Sequence, residues 1–320
     1  MASARSDKKS SRTSAARGGK KSRGRHHEPA VTPTVVEQVT AHQDSTGKAL
    51  SLAAGPVDLA AIDTAGSPVG PQKKSDAAEA MADIGEELAA LQEKLFAAGI
   101  GGSRRRVLLV LQGMDTSGKD GVVKHVLGLV NPAGVHLASF KKPTPVELEH
   151  DFLWRIAAQV PQPGQIGVFN RSQYEDVLAV RVHDLVPRNV WSTRYATINA
   201  FERKLVREGT VVVKCFLHIS KETQRERLAA RLEDPTKYWK YNPGDVDERG
   251  YWSAYQEAYA EALRRCNTAG APWFVVPSDR KWYRNWAIAS LLVETLRELD
   301  PQYPPPDYDL ELERRRVAAS

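Results

Sequence analysis

Short apolar runs alternate with longer segments in which apolar residues recur every three or four positions. The runs "RVLLVLQ" (106–112), "VHLASF" (135–140), "IGVFN" (166–170), "TVVVKCFLHIS" (210–220) and "PWFVVP" (272–277) read as strands, the first of them buried. Helical spacing is seen in "DAAEAMADIGEELAALQEKLFAAGIGG" (76–102), which ends on a glycine stop, and in "GKDGVVKHVLGLV", "TPVELEHDFLWRIAAQV" and "STRYATINAFERKLVRE". It returns in "KETQRERLAARLED", "VDERGYWSAYQEAYAEALRRC" and "RKWYRNWAIASLLVETLREL", with a helical pattern also resuming at Tyr174. Strands that are apolar throughout, each followed by a helix, predict an α/β fold: a parallel sheet covered by helices on both faces.

Composition changes the picture only at the ends. The chain has 320 residues and a net charge of +6. Much of that charge lies in "ARSDKKSSRTSAARGGKKSRGRHHE", which has almost nothing to bury. Residues 1–50 are therefore expected to be a disordered basic arm, able to bind polyanions or simply to solubilise the chain. Residues 51–300 are expected to form the folded domain, and residues 301–320 a proline-rich and then charged extended tail. No secretory segment or membrane-length apolar run is present, so a cytoplasmic protein is expected. Cys215 and Cys266 are too few and too far apart for a disulfide framework or zinc site. The histidines of the folded part show no metal spacing.

The chemistry begins after the first strand. "GMDTSGKDG" places Gly113, Gly118 and Lys119 in register with a phosphate-binding P-loop, between a strand and a helix. Gly113 allows the turn, and the small residues Thr116, Ser117 and Gly118 let backbone N–H groups approach phosphate oxygens. Lys119 can bridge anionic oxygens. The usual Ser or Thr after the lysine is replaced by Asp120, and a carboxylate stands inside the loop instead, at Asp115. Asp120 falls in the first helical turn, where its charge suits the helix dipole.

Three further stretches carry candidates. The third strand ends at Asn170 and Arg171, where open α/β sheets bind ligands; Glu175, Asp176 and Arg181 follow. The acids are either site carboxylates or solvated helix charges, and the arginines are either site groups or surface ion pairs. Arg227 and Arg231 lie four apart on one helix face, with Lys237 and Lys240 beyond. They either clamp a polyphosphate or pair with Glu222 and Glu226. A lid is placed at about residues 225–250. Lys141 and Lys142 project from a strand end as a phosphate contact or as solvated charge.

Together, "GMDTSGKDG", "NPAGV", "SFKKPT", "HDFLWR", "GVFNRSQYEDVLAVRVH", "EDPTKYWK" and "APWFVVPSDRKWYRN" resemble polyphosphate kinase family 2, from about Pro56 to Leu299. The resemblance implies a thymidylate-kinase-like P-loop fold with an α-helical lid. It implies magnesium-dependent phosphoryl transfer between inorganic polyphosphate and nucleotides by a dimer or tetramer. By the same resemblance, Asp115 serves the metal and the acceptor phosphate, Lys119 and Arg171 contact phosphates, Glu175 and Asp176 lie at the nucleotide and metal, and Arg227 and Arg231 hold the polyphosphate or the transferring group. Asn170 and "RSQYEDV" are similar to the branch that accepts both nucleoside mono- and diphosphates, although Gln173 stands where an aromatic residue is common. An ATP-dependent nucleotide kinase and a non-catalytic polyanion binder are the alternative readings.

Overall fold

A computed structural model describes residues 45–320. The expected basic arm lies outside the described residues up to position 44. Its last residues, Thr46–Leu50, form a short helix whose first N–H groups are held by the Glu294 carboxylate: Thr46 N donates over 2.8 Å and Gly47 N over 2.9 Å. A charge across the fold, absent from the local composition, orders this segment.

The five strands are β1 (Arg106–Gln112), β2 (Val135–Ser139), β3 (Ile166–Asn170), β4 (Thr210–His218) and β5 (Trp273–Pro277). They make one parallel sheet in the order β2-β3-β1-β4-β5. The main helices are α1 (Lys74–Ile100), α2 (Lys119–His125), α3 (Arg188–Arg207), α4 (Lys221–Glu233), α5 (Trp252–Arg265), α6 (Lys281–Leu299) and α7 (Leu310–Ala318). Because side chains alternate along a strand, each strand serves two cores. Val107, Leu109 and Leu111 join Val213, Leu217 and Val276 under α1, α2 and α6. Leu108 and Val110 join Val212, Phe216 and Val275 under α3 and α5. The outer edge of β5 is closed by the N-terminal segment, with Leu52 N donating to Trp273 O over 2.9 Å, which leaves that edge no free template for pairing.

Two expected elements differ. The helix expected over 144–160 is broken into Pro145–Leu148 and Trp154–Ala157. Asp151 is responsible: its carboxylate accepts from Leu153 N over 2.9 Å, an alternative to continuing the first helix. The tail expected to be extended becomes helical over Leu310–Ala318, where the Asp309 carboxylate caps the start and Glu–Arg pairs three residues apart line the surface. Among the described residues no helix is long and apolar enough to cross a membrane.

All five strands point their C-terminal ends the same way, and the chain leaves β1 toward β2 on one side and reaches β4 on the other. The ligand crevice of such a sheet opens at this reversal, where the loop after β1 sits. Asp279, just past β5, braces this end: its carboxylate accepts from Ser220 N (2.9 Å) at the start of α4 and from Thr64 Oγ1 (2.6 Å). Burial raises the Asp279 pKa, but the bonds from Thr64, Ser220 and Thr223 outweigh it, so the pKa lies below the ordinary carboxylate value. Folding that lowers a carboxyl pKa adds stability above the unfolded value of about 3.9, and the gain is lost as pH falls through the lower folded value. Asp279→Asn should therefore cost about 1.5 kcal/mol at pH 7 and flatten the acid limb of a urea-stability profile below about pH 4.

Candidate active site

The loop from Gly113 to Lys119 is held from outside through its carbonyl oxygens. Lys119, though it opens α2, folds its Nζ back to Gly113 O (2.7 Å) and Met114 O (3.2 Å). Gln224 Nε2 donates to Asp115 O over 3.1 Å. Arg227 donates through Nη1 to Thr116 O (2.8 Å) and Ser117 O (3.3 Å), and through Nη2 to Ser278 O (2.6 Å) and Asp279 O (2.9 Å). Arg284 Nη1 reaches Ser117 O over 3.2 Å. With its oxygens committed outward, such a loop turns its N–H edge toward a bound anion.

The glycines fit this packing. Gly118 has φ +105°, and a Cβ there would lie 1.7 Å from Arg284 Nη1; one at Gly121 would lie 2.6 Å from Nη2. The spacing "GKDG" is thus the footprint of one guanidinium lying against the first turn of α2. Thr116 and Arg171 adopt positive φ without being glycine, at +66° and +63°. Such residues cluster where the surroundings over-determine a strained backbone.

Around the loop opens a cleft of about 1050 Å³, lined by eleven lysines and arginines against five carboxylates. Its floor is Asp115, Thr116, Gly118, Lys119 and Asp120, and one wall carries Lys141, Lys142, Asn170 and Arg171. The opposite wall comes from α4 and the segment after it, with Arg227, Arg231, Lys237 and Lys240, while Asp279 just past β5 and Lys281 and Arg284 of α6 complete the lining. Asp115 Oδ1 meets Arg171 Nη2 at 2.7 Å, and Glu175 approaches the same guanidinium at 3.7 Å. Burial lowers the Arg171 pKa, but Glu175 and Asp115 raise it more, so it remains a fixed cation. Four other cations are disfavoured by their surroundings. Burial depresses Lys119 and Arg227. Burial and then Arg227 bring Arg284 down to about 10, and Lys281 is lowered by burial and by Arg227, Arg284 and Lys237.

The structure brings together most of the expected residues but not all. Gly113 and Ser117 hold the loop from behind, through its turn and its carbonyl. Asp120 has a partner besides the helix dipole: its Oδ1 accepts from Asn170 Nδ2 over 2.8 Å, joining α2 to the end of β3. Neither arginine of the α4 face pairs with Glu222 or Glu226. Arg225 takes Glu222, Arg227 takes the loop carbonyls, and Arg231 bonds Lys240 O (2.9 Å) and Asp245 (3.2 Å) in the segment after α4. Asp176, expected at the metal, is placed outside the cleft lining, between Arg194 (3.2 Å) and Arg155 (3.6 Å). A hydrogen bond from Arg155 to Lys141 O (2.8 Å) links it indirectly to the lysine wall. Arg181 is also placed elsewhere, against Glu261 (2.9 Å) and over Trp191. Sequence reasoning missed Gln224, Lys281 and Arg284. The signal available for the last two was their three-residue spacing on one helix face, directly after a strand whose end a parallel sheet must bring to the P-loop.

The sequence profile described as Polyphosphate kinase 2 (PPK2) matches residues 71–304. The chain belongs to this family. A polyphosphate kinase 2 structure from Arthrobacter aurescens TC1 superposes with a TM-score of 0.84 at 47% identity, covering 86% of this chain and 97% of that one. The AMP/ADP-polyphosphate phosphotransferase of Meiothermus ruber is 51% identical over 234 residues, 73% of this chain and 86% of that protein. The ADP-polyphosphate phosphotransferase of Rhodopseudomonas palustris is 43% identical over 231 residues, 68% of this chain and 78% of that protein. In this polyphosphate kinase 2 chain, Gly118→Ala should lower urea stability by about 1–3 kcal/mol, because the added methyl meets both an unfavourable φ and the Arg284 guanidinium.

Proposed function

We propose that this cleft is where the chain transfers phosphoryl groups between inorganic polyphosphate and a nucleotide, as an AMP- or ADP-accepting polyphosphate kinase. The observation that carries this reading is the excess of cations around a P-loop with a carboxylate inside it. A chain of phosphates carries charge along its whole length, and a wall of lysines and arginines running from the loop to the lid matches that distribution. The depressed cations Lys119, Lys281 and Arg284 are relieved when an anion enters.

In the forward direction, an oxygen of the nucleotide's terminal phosphate attacks the end phosphorus of polyphosphate in line. A new P–O bond forms, the P–O bond to the penultimate phosphate breaks, and that phosphate leaves with the electron pair as the new chain end. Lys119 and Arg171 stabilise the charge spread over the transferring group, and Arg231 with Lys237 and Lys240 holds the chain from the lid. Arg227 contributes twice, as a cation at the wall and as the brace of the loop. Lys141 and Lys142, in the lining of the same cleft, suit the nucleotide's phosphates. Positioning and electrostatics supply most of the rate in such a reaction.

The residues fit a magnesium ion. Arg171 engages only Oδ1 of Asp115, and Glu175 stands beside it. Magnesium is commonly held by one or two carboxylates plus phosphate oxygens and water. Asp115 would hold the ion, which supplies neutralisation of phosphate charge.

Purified protein incubated with magnesium, polyphosphate and ADP or AMP, without ATP, should form ATP or ADP, measured by chromatography. No product from either acceptor counts against the proposal and favours an ATP-dependent kinase on the same fold. Asp115→Asn and Lys119→Ala should each lower kcat by roughly two orders of magnitude or more, with wild-type rates in both sinking the assignment. Arg284→Met should raise KM for polyphosphate about tenfold, the scale of one lost charge-assisted contact, and move KM for the nucleotide much less.

A further inference from the structure

Beneath Arg171 lies a charged network that the reaction does not touch. Lys214, in the middle of β4, and Glu202, in the apolar stripe of α3, are both buried, and Nζ meets Oε2 at 2.7 Å. The remaining capacity of Lys214 goes to Cys266 O (2.6 Å) and the Tyr174 hydroxyl (3.0 Å). The other oxygen of Glu202 accepts from two consecutive residues of the segment after β3: Gln173 Nε2 over 3.0 Å and Tyr174 OH over 2.7 Å. Removing two ions from water is expensive, and apolar residues of similar volume often serve stability as well or better. Apart from the Lys214 bond to Cys266 O, the remaining bonds of this buried pair converge on one short segment, which suggests a task beyond stability.

That segment carries Arg171, whose backbone is strained at φ +63° while its N–H still follows the sheet, donating to Leu111 O over 3.1 Å. One residue on, the buried Ser172 is held from β1 by Gln112. With its amide nitrogen toward Glu175 (3.2 Å) and its oxygen toward Ser172 N (3.0 Å), Gln112 satisfies both ends. Arg171 therefore leaves the sheet in a strained conformation and within three residues is tethered from β1, α3 and β4. Its guanidinium then falls between Asp115 and Glu175.

We propose that Gln173, Tyr174, Glu202 and Lys214 form a positioning unit that sets the Arg171 guanidinium against Asp115 for phosphoryl transfer. This rests on the assignment of Arg171 to the transferring group. Losing the tether leaves Arg171 in place but lets its segment drift, and misplacement by about 1 Å can cost up to roughly a hundredfold in rate.

The test is a double-mutant cycle on kcat. Gln173→Leu removes one tether and leaves Glu202 with Lys214 and Tyr174. It should lower kcat about tenfold, with KM for polyphosphate and nucleotide changing less than about threefold and the urea midpoint nearly unchanged. In an Arg171→Ala background the same substitution should cost less than twofold, because there is no guanidinium left to misplace. Tyr174→Phe, which deletes only a hydroxyl, gives the same comparison if Gln173→Leu fails to fold. Equal losses in both backgrounds, a loss confined to KM, or an unchanged kcat in the single variants overturns the positioning role while leaving the site reading intact. An unimpaired Arg171→Ala single variant overturns both.

Discussion

The active end of this kinase depends on one arrangement: a loop whose carbonyl oxygens are captured by four side chains on three helices, α2, α4 and α6. Lys119 takes Gly113 and Met114, Gln224 takes Asp115, Arg227 takes Thr116 and Ser117, and Arg284 shares Ser117. Each bond is modest by itself. Together they fix a strained turn that would otherwise sample many states, with Asp115 in the lining of the cleft. Through the same side chains the loop is bound to α4, to α6 and to the residues just past β5, so the site is a junction of the fold. Gly118 and Gly121 are small because Arg284 lies against them.

This construction has an electrostatic consequence. The cations that brace the loop also crowd one another at the cleft, and several are depressed by burial and by each other. Much of the work of collecting positive charge is thus done when the chain folds, before any ligand arrives. A polyanion entering such a site meets preorganised donors, the condition under which electrostatic stabilisation is most effective. Arg171 is the contrast, a cation kept fully charged between Asp115 and Glu175.

The five strands were legible within a residue or two, because short apolar runs set between helical segments leave few choices. The loop and its carboxylate Asp115 were legible for the same reason: glycine spacing between a strand and a helix is a local signal. Asp176 and Arg181 show where local reading ends. Each follows the ligand-bearing end of β3 in sequence, yet the short turns at 173–176 and 179–182 rotate them away, to arginines in one case and to Glu261 in the other. Glu202 is the converse case, a carboxylate at a core position of an amphipathic helix, explicable only when Lys214 is seen opposite.

The sequence by itself determined the α/β architecture, the phosphate-binding loop, the family and the basic character of the ligand wall, since each rests on periodicity or on motifs contained within a few residues. Only the tertiary structure decided which charges face the cleft and which brace it. It made Arg227 a clamp on backbone oxygens, tied Asp120 to Asn170, placed Arg284 under the loop and set Asp176 apart from it. A side chain's role follows from what lies within about 3 Å of its polar atoms, and the partners that Asp120, Arg227 and Arg284 find around the loop are 50 to 167 positions away along the chain.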